Sequence, residues 1–190
     1  SDSDAEVRTQ AAFALGQIRS QASVAALAKA LVADAEQEVR TQAAFALGHI
    51  RSESAVDALA KALAADADAE VRTQAAFALG QIRSHAATAA LAGAIADKHA
   101  EVRKQAVFAL GQVRDAGSVD GLAKALRDAD GEVREQAAFA LGQIRDERAV
   151  GALAGALDDK EDDVRRQAGF ALGPVRAAGA GAGLARAAMA

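Results

Sequence analysis

The sequence contains no cysteine, no tryptophan and no tyrosine, and only one proline among its 190 residues. Without cysteine there can be no disulfide, no thiolate chemistry and no cysteine-built zinc site, though the compartment stays open. Aromatic residues are limited to six Phe, so an ordinary globular core is excluded. No run of about 18 apolar residues is present to form a transmembrane helix. There is no excess of basic residues either. Acids outnumber bases 26 to 22, the net charge is -4, and the pI is near 5.4. A nucleic-acid binder usually shows a basic patch, which makes that partner the weakest reading. The chain opens Ser1-Asp2-Ser3-Asp4 with no initiator Met, basic stretch or apolar stretch of a signal peptide, and reads as a mature or excised segment. Nothing in it supplies an address, and a soluble, cytoplasmic setting is the default expectation. What is abundant is alanine, the best helix former, whose small side chain lets helices approach closely.

Internal repetition is the strongest signal. Phe13, Phe45, Phe77, Phe108, Phe139 and Phe170 follow one another at steps of 32, 32, 31, 31 and 31 residues. Around each lies one phrase: EVRTQAAFALGQIR at 6–19, EVRTQAAFALGHIR at 38–51, EVRTQAAFALGQIR at 70–83, then EVRKQAVFALGQVR, EVREQAAFALGQIR and DVRRQAGFALGPVR. A second, shorter phrase follows, such as SVAALAKAL at 23–31 or AVDALAKAL at 55–63. Near-identity of the first three copies fits recent duplication or consensus design; uneven steps and later drift favour duplication.

Both phrases are helical. Val7, Ala11, Ala14, Leu15 and Ile18 recur at helical spacing, as do Val24, Leu27 and Leu31. Glu6, Glu38, Glu70, Glu101, Glu132 and Asp163 open the first helix and complement the positive end of its dipole. An Asp or Glu three residues before the Val, in five copies of six, suits an N-cap or first-turn acid. Helices this short need neighbours, and stacking repeat on repeat supplies them.

The residues V-R-x-Q-A-A-x-A-L-G-x-I-R, then A-V-x-A-L-A-x-A-L, then Asp, resemble the HEAT-like repeats of the phycobilisome-lyase type, and are similar to artificial α-repeat scaffolds. The resemblance runs over nearly the whole chain. It implies an all-α fold, a right-handed α-solenoid of about six HEAT-like helix pairs, with first-phrase helices lining the concave side. We expect one array over 1–190, with repeat phrases at 5–34, 37–66, 69–97, 100–128, 131–159 and 162–190, the last degenerate. One departure stands out. The family's Gly-Asp after the Ile is here Arg19-Ser20 or Arg145-Asp146, which leaves the turn's conformation open.

The two ends are irregular. The chain opens on a first-phrase helix with no preceding second-phrase partner, so this end is expected to continue upstream or to be covered by something else. Near the other end Pro174 stands where other copies have Gln or His. It should terminate or bend that helix. Residues 180–188 read as a degenerate final helix.

On a wheel at about 100° per residue, with Val7 at zero, the apolar stripe centres near about 30°. Phe13 falls near about 240°, beside Gln17 and Gln10 at about 280° and 300°. The resemblance implies that the Phe13 and Thr9 positions face the groove. A partner-binding ladder follows: the six Phe, flanked by Gln10, Gln42, Gln74, Gln105 and Gln136, and by Gln17, Gln81 and Gln112. Two placements remain open. Each ring is partly exposed in the groove, or lies flat and fills the seam between repeats. The Thr9 position becomes Thr41, Thr73, Lys104, Glu135 and Arg166, so groove polarity changes along the chain.

Other columns read as structural. Arg8, Arg40, Arg72, Arg103, Arg134 and Arg165 each lie six residues after an Asp (Asp2, Asp34, Asp66, Asp97, Asp128, Asp159), a spacing that suits guanidinium forks holding turns and repeats together. Arg19, Arg51, Arg83, Arg114, Arg145 and Arg176 sit near the C-terminal ends of the helices, where they cap carbonyls or form an anion-binding edge. Mid-helix glycines from Gly16 to Gly173 point to close helix packing.

Catalysis finds no constellation. His49, His85 and His99 share no ligand spacing, and serines fall mostly at helix entrances. No catalytic residue, metal or cofactor is expected. The function expected is a non-catalytic scaffold binding protein or peptide through a concave Phe/Gln groove, with no nucleic acid or membrane partner. The alternatives are a self-assembling array, paired through the Phe row or the uncapped first helix, and the repeat appendage of a larger enzyme, lyase-like or peptidase-associated.

Overall fold

The computed structural model describes residues 2–188, with side chains over 2–179. The chain forms α1 (Ala5–Ile18), α2 (Val24–Ala33), α3 (Gln37–Ile50), α4 (Val56–Ala65), α5 (Ala69–Ile82), α6 (Thr88–Ala94), α7 (Ala100–Val113), α8 (Val119–Ala125), α9 (Gly131–Ile144), α10 (Val150–Gly155) and α11 (Asp162–Ala188). The described residues hold no strand, and none of their helices is long and apolar enough to cross a membrane. The architecture is all-α, and contacts divide it into two compact units, Ser1–Ala109 and Leu110–Ala190.

Odd-numbered helices carry the first phrase and even-numbered helices the second. In the first unit α1, α3 and α5 lie side by side in one layer, and α2, α4 and α6 form the other. The close pairs are α2 with α3 and α4 with α5. In the second unit α8 pairs with α9, α10 with α11, and α9 lies beside α11. A second-phrase helix therefore covers the first-phrase helix that follows it, half a repeat out of step with the phrase boundaries read from the sequence. The stripe in α2, Val24, Leu27 and Leu31, is buried, and so is Val39, Ala43, Leu47 and Ile50 in α3. The corresponding stripe of α1 is not. Val7 is 49% and Ile18 68% exposed, and Ala11 and Ala14 are exposed too.

The layer of odd helices is drawn together by glycine. A Cβ built on Gly16 would lie 2.9 Å from the Cα of Ala46, and one on Gly48 2.9 Å from the Cα of Ala78. Gly80 meets Ala109 in the same way, and Gly142 meets Ala171. Backbone thus rests on alanine, a contact no larger residue at these positions could make.

The helix ends explain the departure at the turn. Arg19, Arg51, Arg83, Arg114 and Arg145 all take left-handed backbone angles, φ 52 to 59, where a glycine would carry no strain. A short 3-10 turn follows each. Ser84, Asp115 and Asp146 accept from the amides of Ala86, Gly117 and Arg148 and so start these turns. Asp4, Asp68 and Asp130 cap the odd helices through Glu6, Glu70 and Glu132. Glu36, with its longer side chain, makes no such bond.

At the C-terminal end the expectation is corrected. Pro174 does not end the sixth first-phrase helix, and 180–188 is not a separate element, because α11 continues unbroken to Ala188. The turn signal has gone: Ala177 occupies the Ser or Asp position that opens the 3-10 turn elsewhere, so nothing competes with helical continuation. The side chains of 180–190 lie outside the described residues.

Candidate functional site

The exposed face of the odd helices is defined by what their other faces bury. In α3, Val39, Ala43 and Leu47 face α2; Ala46 meets α1 at Gly16, and Gly48 meets α5 at Ala78. The remaining side carries Glu38, Thr41, Gln42, Phe45 and His49, none of them buried. The same positions in α5 are Glu70, Thr73, Gln74, Phe77 and Gln81.

The six Phe are neither sealed nor free. Phe13 and Phe170 are 44% and 70% exposed, while Phe45, Phe77, Phe108 and Phe139 are half-buried between neighbouring helices. Within the first unit Phe13, Phe45, Phe77 and Phe108 share one helix layer; Phe139 and Phe170 belong to the second. Phe45 has a stacking partner: the His49 ring, at the Gln position of its repeat, lies tilted with its centroid 4.2 Å from that of Phe45.

The glutamines divide. Gln10 and Gln17 are exposed. The amide nitrogens of Gln42, Gln74 and Gln105 and the amide oxygen of Gln136 are shielded from solvent yet have no hydrogen-bond partner. That is costly for a neutral amide, at about 1–3 kcal/mol per unsatisfied group. Gln81 is committed instead to the scaffold, accepting from Arg51 at 3.0 Å, as Gln143 accepts from Arg114 at 2.6 Å. Gln112 is half-buried at the same position. In the Arg column at the helix ends, read from the sequence as carbonyl caps or an anion edge, Arg51 and Arg114 therefore tie their turns to the next first-phrase helix, a link that spacing could not show.

At the Thr9 position the hydroxyls of Thr9 and Thr73 bond back to Ala5 and Ala69 at 2.9 and 2.8 Å. The Lys104 ammonium pairs with Glu101 at 2.8 Å, and Arg166 with Asp163. The side chain at this position therefore changes from Thr73 to Lys104 within the first unit.

The internal Arg and Asp columns are lattice, with a partner choice that the spacing did not indicate. Arg40 forks onto Asp66 at the C-terminal end of α4, Nε to Oδ2 at 2.8 Å and Nη2 to Oδ1 at 3.1 Å. Its Nη1 donates to the carbonyls of Asp34 and Ala35, both at 3.1 Å. The Asp six residues before an Arg thus offers that Arg its carbonyl, and gives its carboxylate to the Arg one copy earlier in the column, as Asp34 does to Arg8. Arg8–Asp34, Arg72–Asp97 and Arg134–Asp159 repeat the geometry. Hydrogen bonds from Arg8 and Arg134 hold the Asp34 and Asp159 carboxyls below the usual carboxylate range. At Asp66 and Asp97 burial pushes upward, and the guanidiniums of Arg40 and Arg72 outweigh it.

Among the described residues no group of three or more His, Cys, Asp or Glu side chains is placed to hold a metal ion. Chemically, the face offers apolar rings, the exposed amides of Gln10 and Gln17, and surface charge.

A family model of HEAT repeats matches residues 1–80, 24–101 and 88–173. No match is found among the curated proteins. Similar solved structures include an engineered protein at 27% identity, TM-score 0.66, with 94% of each chain covered. The complex of CpcE and CpcF of phycocyanin lyase from Nostoc is 26% identical with TM-score 0.67, over 92% of this chain and 73% of that one. A designed armadillo repeat protein in complex with the peptide (KR)4 is 26% identical with TM-score 0.66, over 87% of this chain and 92% of that one.

Proposed function

Because the chain belongs to the HEAT-repeat family, we propose that it acts as a non-catalytic scaffold, a single array that holds a protein or peptide against its Phe/Gln face. The observation that carries this reading is the row of partly exposed Phe rings, Phe13, Phe45, Phe77 and Phe108, on the odd-numbered helices of the first unit, beside the exposed glutamines Gln10 and Gln17. Rings supply apolar contact area at low entropic cost, and the exposed amides of Gln10 and Gln17 can bond an extended main chain. The designed armadillo neighbour, which carries a peptide, lends support to this class of partner. Gln10 and Gln17 are the amides assigned to the partner; Gln81 serves the frame.

The test is selection of binders from a displayed peptide library, followed by Phe77→Ala/Phe108→Ala. Each deleted anchor costs about 1–2 kcal/mol at a central contact, so affinity falls at least tenfold while far-UV circular dichroism is unchanged. Unchanged affinity removes this face from consideration. A pigment-handling role of the lyase kind has only likeness of fold behind it; visible absorption on titration with a linear tetrapyrrole checks it.

A further inference from the structure

Three internal helices of the first unit repeat one arrangement on their outer side. Glu38, Glu70 and Glu101 are exposed in the first turns of α3, α5 and α7. Phe45, Phe77 and Phe108 stand seven residues further along, half-buried. Seven residues are about 10.5 Å of helix, so a row of carboxylates runs beside a row of rings. His49 widens the aromatic surface next to Phe45. The carboxylates are only partly answered within the chain. Glu70 accepts from the neutral Gln37 amide at 2.7 Å, and the Lys104 ammonium lies 2.8 Å from Glu101. At the far end of α3, by contrast, Arg51 is already engaged with Gln81. The open charge beside the rings is negative.

Glycine sets the distance between rungs. A Cβ on Gly48 would lie 2.9 Å from the Cα of Ala78, and one on Gly80 3.1 Å from the Cα of Ala109. Helices that touch through such small residues sit at the close end of the usual range, about 8–9 Å apart. That distance selects among the backbones a partner lying across the helices can adopt. A β-strand returns a side chain to the same side every ~6.7 Å, about 2 Å too short per rung. An α-helix returns to one face after two turns, ~10.5 Å, about 2 Å too long. Polyproline II returns after three residues, ~9.3 Å, and drifts by only about 1 Å.

We infer that the Phe face of the first unit takes a proline-rich segment in the polyproline-II conformation, carrying an arginine at every third residue. The inference rests on that face being the partner-binding one and names its occupant. Prolines lie against Phe45, Phe77 and Phe108, as polyproline-II ligands lie in aromatic-lined grooves. Each arginine, a long side chain with a planar fork, reaches from the ring row to the carboxylate of its own rung. The segment is extended before it binds, so little conformational entropy is lost on docking.

The probe is a fluorescein-labelled peptide of four Arg-Pro-Pro triplets, titrated with the full chain and followed by anisotropy. It binds saturably, and the affinity falls as salt is raised, because exposed charges are screened. A peptide of the same composition with its arginines in one block binds at least fivefold more weakly. One of four Glu-Pro-Pro triplets, equally extended, does not bind. Glu38→Gln/Glu70→Gln in the chain weakens binding about fivefold, as expected for two exposed ion pairs, with circular dichroism and melting temperature showing an intact fold. Phe77→Ala/Phe108→Ala weakens it at least tenfold. Three outcomes overturn the inference: no saturable binding at millimolar peptide, equal binding of the triplet and block peptides, or a change below twofold in Glu38→Gln/Glu70→Gln. If library-selected binders are lost in Phe77→Ala/Phe108→Ala while the Arg-Pro-Pro peptide fails to bind, this inference falls and the Phe-face reading stands. If no binder responds to the Phe substitutions, both fall.

Discussion

Replacing Gly48 with alanine sets helix preference against seam spacing. Judged as a helix residue alone, the change is favourable, since glycine in a helix interior is about 1 kcal/mol worse than alanine. The added Cβ, however, would lie 2.9 Å from the Cα and 3.0 Å from the Cβ of Ala78. Carbon atoms in contact prefer about 3.5–4.0 Å, so α3 and α5 must separate by roughly 0.5–1 Å. A gap of that size forfeits about a quarter to a half of each dispersion contact along the seam, and overpacking of this kind costs about 1–3 kcal/mol. The net expectation is a loss of up to about 2 kcal/mol, or up to roughly 8 °C in melting temperature for a chain of this length. Gly173 is the control. It occupies the same place in α11, where a Cβ would meet nothing within 4 Å. Gly173→Ala should therefore stabilise, by up to about 1 kcal/mol. Urea and thermal denaturation of both variants measure the pair, with the urea slope monitored because repeat arrays can lose cooperativity. Two stabilised variants, or a Gly48→Ala protein at least as stable as the parent, would refute the reasoning that the glycine column exists for helix approach.

Two further predictions follow from the lattice of ion pairs and turns. Asp34 and Asp159 have carboxyls held below their ordinary range. Their stabilisation is complete above the unfolded-state value and is lost as pH falls through the folded-state one, so melting temperature should drop steeply on the acid side of the usual carboxylate range. Asp159→Asn should flatten part of that drop, and an unchanged acid limb would argue against the assignment. Arg145 carries a left-handed backbone at φ 59, a conformation that costs a residue with a Cβ about 1–2 kcal/mol. Arg145→Gly is expected to raise stability by about 1 kcal/mol by thermal denaturation, and a fall would show that the guanidinium matters more than the turn.

The repeat, the helical character of both phrases and the role of the glycines were legible in the amino-acid pattern, because each follows from local spacing. A Phe set about 150° away from the Val-Ala-Leu stripe must point elsewhere on its own helix, whatever the helix packs against. What spacing cannot state is which neighbour a face meets. In a cyclic pattern every first phrase lies between two second phrases, so α3 could have paired with α2 or α4. Contact decides for α2, and with it the exposure of Val7 and Ile18 in α1. Gln81 and Gln74 look alike on the wheel, yet Arg51, reaching across from the next helix, engages only Gln81.

The sequence alone therefore determined what each helix is and which residues make up each of its sides, since backbone propensity and side-chain periodicity are properties of neighbours along the chain. Only the tertiary structure decided the rest: the pairing of α2 with α3 and α4 with α5, the carboxylate that each guanidinium takes, the left-handed arginines at the turns and the continuation of α11 past Pro174. These depend on groups some 25 or more residues apart, or on the loss of a competing turn. Their energies are settled by distances that exist only once the helices have packed.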